Sequence, residues 1–405
     1  MTSVGLHGKL WYHDNDTVSF RYDEMHRASR DRATVERYRK ELGVTETAQE
    51  TIWQYRRGVG FVLGNGIYQS FFDLHGGYFD DPDLMAEMKR LNGLLDRSKD
   101  HDCSSVAQIL VVSDEASCSY TTFESEFLQQ TLQPAQVQLA KLGAPHDSIV
   151  VDDLALADVR RYKLVVFLNC FHLTDTQRQL IRGKVLKGNR TVLWCYAPGL
   201  FNGARASVEA MRELTGLRIR PDHGDARVRL RIALTEDGQS LLDRGAEVAA
   251  LAAESATGQR REANAAASPV IGHEHVWAQL ISVEDPEAAA LGRLEGRTEV
   301  LLAQKPMRGW TSVFTANPVL PAALLRALGR QAGVYIYNAL DDTFYASRSY
   351  VCLNADGAGE RTLRFPSAVG LFDPFTGQCL ARRVTEFRRG LQDKETLLLR
   401  YALQT

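Results

Sequence analysis

The chain has 405 residues, of which 44% are hydrophobic and 24% are charged, and its formal net charge is −2. This balance is typical of a globular protein, the length predicts two or three domains, and the scattered arginines exclude the basic footprint of a nucleic-acid-binding protein. No apolar run approaches the roughly 20 residues that a membrane-spanning helix needs, so we expect no membrane association.

Residues 1–99 alternate strand and helix signals. The order strand, helix, strand, helix predicts a parallel α/β structure. The predicted elements are a strand over residues 6–12, a helix capped by Thr45 and ended at 64–66, a strand over 67–74, and a helix that opens at Asp81 and Pro82.

Residues 100–334 repeat this pattern with stronger apolar runs. Strands that are continuously apolar, and therefore buried on both faces, predict a doubly wound sheet of flavodoxin-like type. The pattern weakens at about 225–296, which we interpret as an insertion containing an Ala-rich segment at 246–267. The predicted strands are 106–113, 148–151, 162–169, 191–196, 300–303 and 311–315, and the predicted helices are 123–142, one capped by Thr174, and 321–333.

Residues 335–405 show a different pattern. Short segments in which apolar and polar residues alternate are separated by turn signals at 354–357 and 373–377. This pattern predicts a small antiparallel β-sandwich. The whole chain is therefore assigned to the α/β class with three parts.

Polar side chains follow both predicted strands of the first part. Asp14 and Asp16 come after the first strand, and Asp73 and His75 come after the second. In parallel α/β barrels the catalytic groups lie at these strand ends, and a pair of carboxylates suits glycoside hydrolysis. Trp11 is a candidate platform for a sugar ring. The alternative is that these aspartates only form turns and helix caps.

The six cysteines are scattered and form no C-x-x-C pair, so we interpret them as free thiols in a reducing compartment. No signal peptide is visible, and we expect a cytoplasmic protein. No phosphate-binding glycine loop follows a strand, so no nucleotide cofactor is expected. His273 and His275 flank Glu274, but no further ligand cluster is adjacent, so no metal is expected. Cys170, after a buried strand, suggests an amidotransferase-like nucleophile, but the glycines of a nucleophile elbow do not flank it.

Several segments, in order along nearly the whole chain, resemble the family 42 β-galactosidases. They are residues 6–17 (LHGKLWYHDNDT), 72–82 (FDLHGGYFDDP), 162–169 (YKLVVFLN), 194–199 (WCYAPG) and 373–377 (DPFTG). The resemblance implies that residues 1–99 are the end of a (β/α)₈ barrel, that 100–334 form an amidotransferase-like trimerisation domain, and that 335–405 form the β-sandwich.

The resemblance also implies an activity and an assembly. The family nucleophile is a Glu at the end of the seventh barrel strand, and Asp14 is the nearest candidate here; the family's acid/base Glu falls outside this chain. We therefore expect a carbohydrate substrate and a homo-oligomer, most simply a trimer, with little or no activity in this chain alone. The alternative is a non-catalytic oligomerisation or carbohydrate-binding protein derived from such an enzyme.

Overall fold

The computed structural model describes residues 2–26, 31–73, 76–121, 126–203, 205–222, 227–253, 270–272 and 275–403. These residues form two compact units. Unit 1 comprises Met1–His7 and Ala107–Asp341, and unit 2 comprises Gly8–Val106 and Asp342–Thr405. The first and last predicted parts thus share unit 2, while the division into three domains stays a prediction. Within the described ranges, no helix is both long enough and apolar enough to cross a membrane.

The first 106 residues contain two short strands and two long helices. β1 and β2 pair in parallel, with Tyr12 opposite Tyr68 and Asn15 opposite Phe71, as the strand–helix order predicts. The elements are α1 (Thr2–Leu6), β1 (Tyr12–Asn15), α2 (Tyr22–Met25), α3 (Arg32–Glu41), α4 (Ala48–Asn65), β2 (Tyr68–Phe71) and α5 (Pro82–Ser98).

Local capping signals set the ends of the two long helices. α4 ends at Gly66, which has the left-handed backbone conformation. α5 starts after Asp81, whose side chain accepts hydrogen bonds from backbone amides in the first turn of the helix. The predicted end of α4 and the predicted start of α5 are therefore confirmed. The N-cap of α4 is Thr47 rather than the predicted Thr45. The hydroxyl of Thr45 is instead bonded to the hydroxyl of Thr51 at 2.6 Å.

The predicted strand at 6–12 is wrong. Residues 2–6 form α1, which belongs to unit 1, and β1 begins only at Tyr12. Ser3 Oγ accepts from the Val150 amide at 2.8 Å, and Leu6 packs against the core of unit 1. Residues 6–12, which the sequence pattern predicted to form one apolar strand, are therefore divided between the two units.

In the described part of unit 1, one mixed sheet of 11 strands carries the core. The strands and helices of unit 1 after α1 are β3 (Ile109–Ser113), α6 (Glu126–Ala140), β4 (His146–Val150), β5 (Leu164–Phe167), α7 (Asp175–Leu180), β6 (Arg190–Cys195), β7 (Phe201–Asn202), β8 (Arg205–Ala206), α8 (Val208–Thr215), β9 (Ile219–Pro221), β10 (Arg227–Arg229), β11 (Ile232–Leu234), α9 (Glu236–Ala253), β12 (Val270–Ile271), β13 (Trp277–Gln279), β14 (Ile281–Val283), β15 (Ala289–Leu294), β16 (Val300–Met307), β17 (Trp310–Thr315) and α10 (Ala322–Gln331). β7 pairs with β8, and β10 pairs with β13, in two separate two-stranded sheets.

The parallel part of this sheet has the strand order β4-β3-β5-β6-β17. In chain order this is 2-1-3-4-5, the order of flavodoxin-like doubly wound sheets. Both faces of β5 and β6 are buried, which explains the apolar runs of β5 (Leu164–Phe167) and of residues 192–195 in β6. The segment interpreted as an insertion contributes β11, β12 and β15, which extend the sheet in antiparallel pairing. Most of the Ala-rich segment lies outside the described residues.

The predicted antiparallel strands of the last part are present, and in the described residues they pair as one five-stranded sheet. The β-sandwich stays a prediction. The strands are β18 (Thr343–Ala346), β19 (Tyr350–Asn354), β20 (Gly359–Phe372), β21 (Cys379–Leu391) and β22 (Thr396–Leu403). α4 packs against this sheet. Tyr55, Val59 and Leu63, each one helical turn apart, share a buried cluster with Cys352 and Leu398. A Cβ at Gly60 would collide with Cys352, so glycine permits this close approach.

Candidate functional site

Asp14 lies inside β1 rather than after it, because the strand starts later than predicted. Its side chain is exposed, and Ser70 on β2 donates a hydrogen bond from Oγ to Asp14 Oδ1 at 3.4 Å. The parallel register places these two residues side by side. Asp14 therefore presents a solvent-accessible carboxylate that is oriented by the neighbouring strand.

The alternate residues of β1 point to the opposite face. Asn15 is buried, and its Oδ1 accepts from the hydroxyl of Thr17 at 2.8 Å. The ring of His13 packs edge-on against Phe61 with 5.5 Å between the ring centroids. Burial lowers the pKa of His13 more than Asp16 and Asp14 raise it, so its imidazole is neutral at pH 7.

Asp16 follows β1, as predicted, and lines a cavity of about 280 Å³. Gln54 and Arg57, three residues apart on α4, line the same cavity together with Tyr78. An amide, a guanidinium and a carboxylate around one cavity can donate to and accept from the hydroxyl groups of a polar ligand. The sequence patterns did not mark Ser70, Gln54 or Arg57 as site residues. The i, i+3 spacing of Gln54 and Arg57 shows that they share a helix face, but nothing in it shows that the face meets Asp16.

The carboxylate of Asp73 accepts hydrogen bonds from the backbone of its own loop. It accepts from the amide of Gly76 at 2.7 Å and from the amide of Tyr78 at 3.0 Å, and Gly76 has a φ of 75°. These contacts are those of a turn-forming aspartate, the alternative that the sequence left open. His75 lies outside the described residues, and a sugar-binding role for either residue stays a prediction.

The two strands carry an exposed apolar surface, which we call the β1–β2 surface. Trp11 immediately precedes β1, and its carbonyl accepts from the Tyr68 amide at 3.3 Å. Contiguous exposed apolar side chains usually mark a contact with another segment or molecule. The members and their exposed fractions are Leu10 (77%), Trp11 (41%), Tyr12 (56%), Tyr68 (46%) and Phe72 (45%).

The amidotransferase alternative fails at Cys170. This side chain is buried, and its Sγ lies 3.6 Å from the carbonyl oxygen of Val112. Burial raises the pKa of Cys170 well above that of a free thiol, whereas a nucleophilic cysteine needs a lowered pKa and exposure. Cys170 is therefore a core residue.

In the described ranges, no three His, Cys, Asp or Glu side chains are grouped so that they could hold a metal ion. His273 and Glu274, the two adjacent residues that prompted the question, lie outside those ranges.

No known family profile matches the sequence, and no curated protein matches it. Solved structures do match. The β-galactosidase from Bacillus circulans sp. alkalophilus has a TM-score of 0.59 at 15% identity, over 88% of this chain and 52% of that chain. The cold-adapted β-galactosidase from Rahnella sp. R3 has a TM-score of 0.56 at 14% identity, over 87% and 51%. A catalytic mutant of Gan42B, a GH42 β-galactosidase from G. stearothermophilus, has a TM-score of 0.57 at 12% identity, over 87% and 51%.

At these identities the matches concern the fold, and the chain spans about half the length of the solved structures it matches. The resemblance predicted from the sequence segments is thereby confirmed at the level of architecture. The chain shares its fold with part of the family 42 β-galactosidases.

Proposed function

We propose that this chain is the C-terminal portion of a β-galactosidase-like glycoside hydrolase that cleaves O-glycosidic bonds with retention. The observation that carries the proposal is the fold match, which extends over 88% of this chain and about half of each matching β-galactosidase. A carbohydrate is the substrate that this assignment implies.

The mechanism uses two carboxyl groups about 5–5.5 Å apart, one as nucleophile and one as acid and then base. We assign the nucleophile to Asp14, whose carboxylate is exposed and bonded at Oδ1 by Ser70. This contact leaves Oδ2 to attack the anomeric carbon. The acid would be a Glu from another segment of the complete enzyme. Asp16, with Gln54 and Arg57 around the same cavity, would bind sugar hydroxyls.

The parallel pair β1 and β2 is proposed to be two neighbouring strands of a (β/α)₈ barrel. Each strand is followed by a long helix, α4 or α5, as in a barrel. Two parallel strands are unstable by themselves, and the exposed β1–β2 surface is where further barrel strands would pack. Without those strands the chain should have little or no activity.

The rest of the proposal concerns assembly. The flavodoxin-like sheet of unit 1 would serve as the trimerisation domain of a cytoplasmic homotrimer. The support is the strand order of that sheet and the fold match, which includes β-galactosidases of the family that the sequence resembles.

A second candidate is a non-catalytic oligomerisation or carbohydrate-binding protein derived from such an enzyme. It is favoured by Asp at position 14, where the resemblance leads us to expect Glu. An Asp side chain is one methylene shorter, and a displacement of about 1 Å can cost roughly a hundredfold in rate.

The DNA upstream of the Met1 codon separates the two candidates. An in-frame continuation that encodes further barrel strands and an Asn-Glu pair supports the enzyme. Its product should then hydrolyse aryl β-galactosides and lose this activity in the Asp14→Asn variant. A promoter and ribosome-binding site directly upstream support the non-catalytic protein, as does the absence of turnover by a longer product. Undiminished turnover by the Asp14→Asn variant of a longer product would contradict the assignment of Asp14 as the nucleophile.

A further inference from the structure

The strand β21 of unit 2 is strongly basic and lies at the end of its sheet. In the order β18-β19-β22-β20-β21, it pairs only with β20 in the described part of the chain. The amide and carbonyl groups along its other side therefore have no strand partner. Its 13 residues include four arginines and one glutamate, whereas the whole chain has a net charge of −2.

A bulge in β21 exposes two neighbouring arginines. Between Val384 and Ala381 the strand advances by three residues while β20 advances by two, so β21 contains one extra residue. Arg382 and Arg383 lie in this bulge, and both side chains are exposed. Bulges at sheet edges redirect side chains, and here the redirected side chains are two guanidinium groups.

The backbone of Arg383 is strained. Its φ of 53° lies in the left-handed region, which glycine adopts without strain and other residues seldom occupy. Charged residues also protect an open strand edge from pairing with a second copy, but a protective charge does not require this strained position. A strained residue that keeps a long charged side chain points to a use for that side chain.

Three of the four arginines are available to a partner. Arg388 is paired with Glu386 at 2.7 Å. Arg382, Arg383 and Arg389 are exposed, and none of them forms an ion pair with a carboxylate in the described ranges. A guanidinium binds a carboxylate through two parallel hydrogen bonds, so these side chains favour an acidic partner.

We propose that β21 binds an extended acidic segment of another protein, which adds a strand to this sheet. Main-chain hydrogen bonds to the open edge would hold the segment, and its Asp or Glu side chains would bond to Arg382, Arg383 and Arg389. A peptide fits this strand better than a nucleic acid, because a phosphate backbone has no amide and carbonyl groups to extend the sheet. The inference does not rest on the proposed hydrolase function, because it concerns a protein partner of a different part of unit 2.

Fluorescence anisotropy with the full chain tests the proposal, and the probe is a labelled peptide that alternates Glu with Val. We expect binding that weakens as the salt concentration rises. The same peptide methylated at every backbone nitrogen keeps the charges but cannot donate main-chain hydrogen bonds, so it should bind much more weakly. A single-stranded oligodeoxynucleotide of equal charge tests the nucleic-acid alternative and should also bind more weakly than the peptide.

Two variants test the arginines. Arg382→Glu should weaken peptide binding about tenfold, equivalent to about 1.4 kcal/mol. Arg308→Glu, the same charge reversal at an exposed position of unit 1, is the matched control and should bind as the parent chain does. Arg383→Gly removes the side chain together with the backbone strain, so it should melt no lower than the parent chain and yet bind the peptide more weakly.

Four results would overturn the proposal. The first is the absence of binding by the acidic peptide, and the second is equal binding by its methylated form. The third is equal peptide affinity in the parent chain, Arg382→Glu and Arg383→Gly. The fourth is tighter binding of the oligodeoxynucleotide than of the peptide.

Discussion

Ser70 Oγ donates a hydrogen bond of 3.4 Å to Asp14 Oδ1 across the parallel pair of β1 and β2. Asp73, only three residues beyond Ser70, accepts instead from the amides of Gly76 and Tyr78. One carboxylate therefore faces solvent at the end of the sheet, while the other supports a loop. Substitution of Asp73 and substitution of Asp14 should therefore change the free energy of unfolding by different amounts.

Replacement of Asp73 by Ala should destabilise unit 2 by about 1–2 kcal/mol, because two backbone amides lose their acceptor. Replacement of Asp14 by Ala should change the free energy of unfolding by no more than about 0.5 kcal/mol, since the side chain is exposed. Urea denaturation of both variants measures these values. Equal losses of stability would contradict the separate roles assigned to the two carboxylates.

A buried ion pair supports the C-terminal sheet of unit 2. Arg361 bonds to Asp342 through Nε at 2.8 Å and through a terminal nitrogen at 3.0 Å, and both side chains are almost fully buried. Asp342→Ala should cost about 3–5 kcal/mol, because it leaves a buried guanidinium without its carboxylate. Chemical denaturation measures the loss. The control is Glu386→Ala, which breaks the partly exposed pairs with Arg388 and Arg364 and should cost no more than about 1 kcal/mol. A similar cost for both variants would show that burial does not decide the strength of these pairs.

Gly143 ends the segment after α6 with a φ of 84°, and a Cβ there would collide with the carbonyl oxygen of Asn338. Gly143→Ala should therefore lower the melting temperature, with a loss of at least about 1–3 kcal/mol. Gly183→Ala is the matched control, because a Cβ at Gly183 meets no atom within 4 Å. Differential scanning calorimetry compares the two. If Gly143→Ala melts no lower than Gly183→Ala, the close approach of the two segments is wrong.

The cysteines should differ in reactivity. Cys118 is exposed, whereas Cys170 and Cys195 are buried, and burial raises the pKa of Cys195 to about 12. Burial and Asp114 raise the pKa of Cys118 as well, so the exposure of its thiol is what should make it react. Iodoacetamide followed by peptide mass spectrometry should label Cys118 in the folded chain and label Cys170 and Cys195 only after unfolding. Rapid labelling of Cys170 in the folded chain would revive the amidotransferase alternative.

The proposed trimer makes a prediction about size and local stability. Light scattering should report three times the chain mass of 45.2 kDa. Hydrogen exchange should be slower in β3, which is central and buried, than in β2, one of two paired strands. A monodisperse monomer contradicts the assembly, and equal protection of β2 and β3 contradicts the open strand pair.

The sequence alone determined the features that depend on neighbouring residues. Thr174 and Gln177 form the capping box of α7, Asp81 starts α5, and Gly66 ends α4, because a cap is completed within a few positions of the chain. The sequence also predicted the buried strand β5, because a strand covered on both faces is mostly apolar. The family resemblance, and with it the fold, followed from motifs distributed in order along the chain.

Only the tertiary structure decided the features that depend on distant partners. Leu6 packs against unit 1 while Tyr12 starts β1 in unit 2, so one apolar run belongs to two units. α4 packs against the C-terminal strands, which follow it by some 300 residues in the chain. Asp14, Asp16 and Asp73 look alike in sequence, yet one bonds to Ser70, one lines a cavity with Arg57, and one holds its own loop. Such differences arise from residues brought together by folding, and no local pattern encodes them.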